Sequence, residues 1–221
     1  MNEEAPKKYN RMNVRQSYNR WAAQYDTDQN KTRDLEAIAL KENLAGLNFG
    51  TCLEIGCGTG KNTGWLLTKS KRVVAADLSE EMLSKAKEKI VSDDVIFVQS
   101  DINEPWDFGR EKFDLITFSL VLEHIENLDH VFKEAANTLA KSGYVYVGEL
   151  HPFKQYSGSK ARFETEERLN TVPCFTHHIS DFTRSAKKHG LEIVHLDEFF
   201  DDDGDKSSMP RILSILFKKS G

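Results

Sequence analysis

The apolar positions along this chain change period several times, and the changes mark out its elements. Between residues 12 and 25 the larger apolar residues fall at Val14, Tyr18, Trp21, Ala22 and Tyr25, which is one face of a helix. A second helix is predicted from Thr32 to Ala45, with Thr32 as its N-cap and Gly46 as its stop. Short apolar runs follow at Thr51–Ile55, Val73–Ala76, Val95–Gln99, Phe113–Phe118 and Tyr144–Leu150, each of strand length and strand composition. Helical stretches separate them. One spans roughly residues 61–68. The next is capped by Ser79, carries Glu80 and Glu81 in its first turn, and turns Met82, Leu83, Ala86 and Ile90 inward. A third shows the clearest period in the chain, Leu128, Val131, Phe132, Ala135, Ala136 and Leu139, and Gly143 ends the connection after it. A last helix runs from a Ser180 cap to His189, burying Phe182 and Ala186 and stopping at Gly190, before strands Glu192–Phe199 and Arg211–Phe217. Strand alternating with helix implies a parallel sheet with helices on both faces, and a ligand beyond the carboxyl ends of its strands.

Two stretches depart from that rhythm. Residues 151–178 are long for a connection inside one domain and carry Phe153, Tyr156, Phe163 and Phe175, so a cap over the ligand end is expected there. The acidic run DDDGDKSSMP has its glycine, Gly204, before Asp205 and lacks a distal Glu, which does not fit a calcium loop; a solvated hairpin turn is expected. Residues 1–8 are polar and read as loose.

Composition narrows the class only modestly. A chain of 221 residues with 39% hydrophobic and 29% charged residues fits one α/β domain with a full core. A net charge of −5 argues against a phosphate-gripping surface. Cys52, Cys57 and Cys174 form no CxxC pair, and an odd count supplies no disulfide framework, so free thiols in a reducing compartment are expected. With neither a signal-like N-terminus nor an apolar run of membrane-spanning length, the expected location is the cytoplasm.

The chemistry gathers at LEIGCGTGKNT, residues 53–63. Gly56, Gly58 and Gly60 lie between a strand and a helix, where bare backbone and free helix N–H groups suit a nucleotide-like ligand. Asp77 ends the second strand 17 positions beyond Gly60, where a carboxylate can accept both hydroxyls of an adenosyl ribose. Asp101, after the third strand, could accept from an adenine amino group. The spacing is GxGxG, not the GxGxxG of dinucleotide enzymes, which speaks against an NAD(P)-dependent oxidoreductase. His151 follows the fifth strand, and His177 and His178 end the long segment; no third ligand stands at a recognisable zinc spacing.

The stretches LEIGCGTG, VVAADLSEEML, FVQSDINEPW, FDLITFSLVLEHIENL and GYVYVGELHPF occur in that order between residues 53 and 153. In this the chain resembles the class I S-adenosylmethionine-dependent methyltransferases, and more narrowly the small-molecule branch related to the ubiquinone and menaquinone biosynthesis methyltransferases. The resemblance implies an α/β, doubly wound, mostly parallel seven-stranded sheet with the last strand antiparallel, under an N-terminal helical lid. It divides one domain into lid helices at 9–47, a cofactor-binding core at 48–150, a substrate cap at 151–178 and a C-terminal helix with two strands at 179–221. By the same resemblance Gly56, Cys57, Gly58 and Gly60 frame the methionine part of the cofactor, with Glu54 and Asn62 near its amino and carboxylate ends. Asp77 takes the ribose, Leu78 and Met82 lie beside the base, and Asp101 and Ile102 bracket adenine. Ser119, Leu120 and His124 approach from the fourth strand, and Tyr18, Trp21 and Tyr25 close over the site. For Met82, plain helix core is an equal alternative, as edge packing is for the first helix. His178 and His151 are the candidate catalytic residues, set against simple hydrogen bonding.

Ser119-Leu120-Val121-Leu122 stands where amino-methylating nucleic-acid and protein enzymes carry a [DN]-P-P-[YF] clamp. The expected activity is therefore metal-free transfer of a methyl group to an O, N, S or C atom of a small molecule. A methyltransferase acting on RNA or protein is the first alternative, followed by an NAD(P)-dependent oxidoreductase and a cofactor-free partner subunit. No nucleic-acid or membrane partner is expected, and monomer and homodimer remain equally open.

Overall fold

The computed structural model describes residues 13–108, 111–165, 168–201 and 206–220. The N-terminal residues 1–8 and residues 202–205 of the acidic turn lie outside these. The helices are α1 (Val14–Trp21), α2 (Lys31–Leu44), α3 (Thr63–Lys69), α4 (Glu80–Lys89), α5 (Leu128–Thr138), α6 (Pro152–Tyr156) and α7 (Ile179–Lys188). The strands are β1 (Thr51–Ile55), β2 (Arg72–Asp77), β3 (Val95–Gln99), β4 (Phe113–Ser119), β5 (Leu139–Leu150), β6 (Arg162–Thr165), β7 (Arg168–Thr171), β8 (Leu191–Phe199) and β9 (Ile212–Lys219).

Seven strands form one sheet in the order β3-β2-β1-β4-β5-β9-β8. β1 to β5 pair in parallel, and β9 runs antiparallel to both β5 and β8. This is the Rossmann-like methyltransferase sheet, with the last strand antiparallel as expected. Side chains along the inner strands alternate between two buried faces, so each strand reads as a continuous apolar run. On one face Leu53, Ile55, Ile116, Phe118, Val145 and Val147 pack against Val131, Phe132 and Ala135 of α5 and Phe182 and Ala186 of α7. On the other, Cys52, Val73, Leu115 and Tyr146 pack against Leu40 and Leu44 of α2, Leu66 of α3 and Leu83 of α4. A third, small cluster joins Trp21 and Ala22 to Met82 and Val172, so α1 lies across α4.

Local capping explains most of the boundary shifts. The α2 cap is Asn30, whose Oδ1 accepts from Arg33 N at 3.0 Å, and not Thr32. Likewise α7 starts after His178, not at Ser180, because Asp181 reaches back to accept from His178 N at 2.8 Å. Ser79 caps α4 as expected, accepting from Met82 N at 3.2 Å. Gly143 does not end a connection. It lies inside β5, where the register with β4 shifts, and a Cβ there would sit 3.0 Å from the Asp114 carbonyl. Residues 151–178 are not a plain connector either: they hold α6 and the β6–β7 hairpin. The three cysteines are free thiols. Among the described residues no helix is long and apolar enough to cross a membrane.

Candidate active site

β1 and β4 are neighbours, yet the chain proceeds outward from them in opposite directions, to β2 and β3 on one side and to β5 on the other. That reversal opens a crevice at the carboxyl ends of β1 and β4. Its floor is the glycine turn after β1. Gly56, Gly58 and Gly60 all adopt positive φ, at 72°, 54° and 82°. A Cβ on Gly56 would lie 2.1 Å from Val121 Cγ2, whereas one on Gly58 would meet nothing within 4 Å. Gly56 thus lets the β1 turn approach the β4 turn, and Gly58 leaves open space.

Asp77 crosses that space. Its Oδ2 accepts from Gly58 N and its Oδ1 from Ser79 N, both at 2.8 Å. Burial raises its proton affinity, and the Ser79, Gly58 and Leu78 amides counter the rise. An ionised carboxylate has about four acceptor positions, so two bonds leave room for a diol. Asp101 Oδ1 is turned by Asn103, accepting its backbone N at 3.0 Å and its side-chain amide at 2.8 Å. The cavity between them is lined by Gly56, Gly58, Asp77, Leu78, Met82, Asp101, Ile102, Ser119, Leu120 and His124, with Tyr18 and Tyr25 of the N-terminal segment above. Leu120 carries a positive φ of 57°, rare for a side chain of this kind. Its amide bonds the Gly148 carbonyl at 2.8 Å, which holds the strained turn in place.

These features coincide with what comparisons reveal. A family model described as a methyltransferase domain matches residues 53–147. An uncharacterized methyltransferase of Emericella nidulans is 26% identical over 220 residues, covering 82% of this chain and 76% of that relative. A ubiquinone biosynthesis O-methyltransferase of Aliivibrio fischeri is 27% identical over 149 residues, covering 66% of this chain and 63% of its own length. The chain therefore spans a little under two thirds of that relative. The N-methyltransferase NodS of Bradyrhizobium japonicum, solved with S-adenosylhomocysteine, superposes with a TM-score of 0.69 at 20% identity, over 95% of this chain and 100% of that one. Residues 53–147 form a methyltransferase domain, and the comparisons together support a class I S-adenosylmethionine-dependent methyltransferase. S-adenosylmethionine is its cofactor, and the open turn at Gly58 with the half-engaged Asp77 fits an adenosyl group.

Not every expected residue of this methyltransferase reaches the cavity. Glu54, Cys57, Gly60 and Asn62 stand behind the glycine turn. Glu54 accepts from the Thr63 hydroxyl, and burial, with the nearby charges of Glu36 and Asp77, pushes its pKa up to about 8. Asn62 Nδ2 donates to Glu36 Oε2 at 3.1 Å and to Ser119 Oγ at 3.4 Å. Burial raises Glu36 to about 7, against the hydrogen bonds of Ser119, Asn62 and Tyr146. Trp21 turns away toward an adjoining cavity, its Nε1 donating to Asp28 at 2.8 Å.

The two candidate catalytic histidines, His178 and His151, do not line the cofactor cavity. His178 is exposed at the start of α7, with its Nδ1 on the Tyr156 hydroxyl at 2.5 Å. His151 is fully buried: its Nδ1 accepts from Phe153 N at 3.2 Å and its Nε2 faces Glu198 at 2.9 Å. The first is a helix-start residue and the second a cap for α6. The imidazole that does line the cavity is His124, whose Nδ1 bonds the Pro173 carbonyl and whose Nε2 takes the Tyr18 hydroxyl, each at 2.8 Å.

Sequence reasoning missed Glu123 beside it. An acid directly after the apolar run Leu120-Val121-Leu122 was the available signal. Glu123, His124 and Cys174 bring potential metal-ligand atoms within 4.8 Å of one another. Burial, with the Glu123 charge, pushes the Cys174 thiol up to about 12, so it stays protonated at neutral pH.

Proposed function

We propose that this methyltransferase moves a methyl group from S-adenosylmethionine to an O, N, S or C atom of a small molecule by in-line displacement. The sulfonium arrives already activated, so the protein's part is to orient the acceptor and exclude water. The observation that carries the reading is the narrowing of the crevice. Tyr18, Trp21 and Tyr25 cluster above it, with ring centroids 4.9–6.4 Å apart, and narrow it to two adjoining, partly open cavities. Residues 151–178 would complete the cap: Val172 packs on Trp21, and Phe175 N donates to the Glu123 carbonyl at 2.7 Å.

In this reading Asp77 holds the ribose, Asp101 and Ile102 flank adenine, and Ser119, Leu120 and His124 border the methyl-bearing end. The 9–47 segment acts as lid and 48–150 as cofactor core. The ubiquinone biosynthesis O-methyltransferase and the N-methyltransferase NodS support the reading without choosing the acceptor atom. Mass spectrometry of the protein as purified tests the reading. Co-purifying S-adenosylmethionine or S-adenosylhomocysteine together with a small organic acceptor is expected; salt-sensitive RNA in its place would overturn it.

A further inference from the structure

A second cavity adjoins the cofactor crevice. Tyr18, Tyr25 and Leu120 line both, and Glu123, Lys31 and Lys160 line the second alone. Glu123 is only 6% exposed, and its Oε2 has no hydrogen-bond partner. The groups beside it are already engaged. His124 Nε2 stands 3.9 Å away but takes the Tyr18 hydroxyl, and the Cys174 thiol, a weak donor to the Glu123 carboxyl, is shared with the Val172 carbonyl at 3.3 Å. A buried carboxylate oxygen without a donor is costly, and a ligand that supplies one recovers that cost.

We propose that this second cavity binds the methyl acceptor, and that the acceptor is a small amine bearing an anionic group, with its nitrogen donating to Glu123. The inference rests on the methyltransferase reading above and adds the substrate class. Three observations favour an amine over a hydroxyl. The surroundings are acidic: Glu123 lines this cavity and Asp77 the adjoining one, and no Lys or Arg is ion-paired to either among the described residues. The walls are aromatic, and the Tyr25 ring already carries a cation, with Arg33 Cζ 4.6 Å from its centroid. Burial also raises the proton affinity of Glu123, which suits it to receive a proton. The anionic group follows from Lys31 and Lys160, which line the same cavity, are exposed and make no ion pair among the described residues, while Arg211 is held by Asp201.

The step balances. The lone pair of the neutral amine forms the new N–C bond, and the C–S bond breaks with its electron pair going to sulfur, leaving a neutral thioether. The proton lost from nitrogen passes to the Glu123 carboxylate and from there to water.

Calorimetry on the full chain saturated with S-adenosylhomocysteine tests this with matched probes. The pairs are phosphoethanolamine against 2-hydroxyethyl phosphate, and 4-(aminomethyl)benzoate against 4-(hydroxymethyl)benzoate, with benzylamine as the probe lacking an acid. At least one amine is expected to bind at least tenfold more tightly than its hydroxyl twin, and to yield S-adenosylhomocysteine when S-adenosylmethionine is supplied. Glu123→Gln should erase that preference while cofactor affinity stays unchanged. Replacing Lys31 and Lys160 by Ala should weaken the acid-bearing amine without affecting benzylamine. Equal or better binding of the hydroxyl twins, or no amine binding at all, overturns the proposal without recourse to any variant. So does turnover that EDTA abolishes and Mg²⁺ restores, which would assign Glu123 and His124 to a metal. Failure to bind S-adenosylhomocysteine would instead count against the methyltransferase reading itself.

Discussion

Substituting Gly56 and Gly58 separately distinguishes close approach from backbone conformation. Both have positive φ, so either alanine pays the left-handed penalty, about 1–2 kcal/mol. Part of that is offset by a stiffer unfolded chain, about 0.4–1 kcal/mol. The two then part company. Gly58→Ala places its methyl in open space, so its cost stays near 1 kcal/mol on these figures. Gly56→Ala sets a methyl 2.1 Å from Val121 Cγ2, where carbon contacts want about 3.5–4.0 Å. Val121 is β-branched and stiff at χ1, so relief must come from shifting the turns, an overpacking cost of about 1–3 kcal/mol more. For a chain of this size each kcal/mol moves Tm by about 2–4 °C. Differential scanning calorimetry should therefore show a drop of about 2–4 °C for Gly58→Ala and roughly 5–15 °C for Gly56→Ala. Gly56→Ala in a Val121→Ala background should lose most of its excess cost over Gly58→Ala, only the Val121 Cβ contact at 3.3 Å remaining. Equal losses for the two glycines, or no relief from Val121→Ala, would refute the argument that Gly56 exists to bring the β1 and β4 turns together.

Further outcomes follow from the same geometry. If α1 is a lid, S-adenosylhomocysteine should slow hydrogen exchange across residues 13–28; unchanged exchange would make Tyr18, Trp21 and Tyr25 ordinary packing. Glu36 and Glu54 have folded pKa values of about 7 and 8, above the ordinary carboxylate range, so the folded state binds more protons than the unfolded chain between roughly pH 4.5 and 8. That stabilisation is complete below the unfolded pKa and is lost as pH rises through 7–8, so ligand-free protein should melt lower at pH 8.5 than at pH 5.5, and Glu36→Gln should flatten the trend; a melting point that rises with pH would contradict it. His178→Gln should keep turnover within about threefold of wild type, since loss of a general base costs about 10²–10⁴-fold; a loss of that size would return His178 to the substrate.

The sheet was legible because parallel strands buried on both faces are written as contiguous apolar runs, and the glycine turn and Asp77 because their residue types have few other uses at a strand end. The limits of sequence reading were set by long-range pairing. Asn30 displaced Thr32 as a cap, a choice among neighbouring polar residues that spacing alone does not decide. His178 and His151 carry the right chemistry at the right end of the sheet, but Tyr156 and Glu198, both distant or unremarkable in sequence, claim their nitrogens. Glu123 has the opposite history. One acid directly after an apolar run looks like a surface position, and only the fold of residues 172–175 over it makes it buried. The strain at Leu120 gives no sequence signal, since the backbone bond that holds it reaches to Gly148 on the next strand.

The central claim is that the crevice between the glycine turn and Asp77 holds S-adenosylmethionine. Calorimetric titration of S-adenosylmethionine into wild type and Asp77→Ala tests it most directly. A hydrogen bond to a charged group is worth about 1.5–3 kcal/mol, so the substitution should weaken binding by roughly 10- to 150-fold with stoichiometry unchanged. An affinity within about twofold of wild type, or no binding to wild type, would contradict the account.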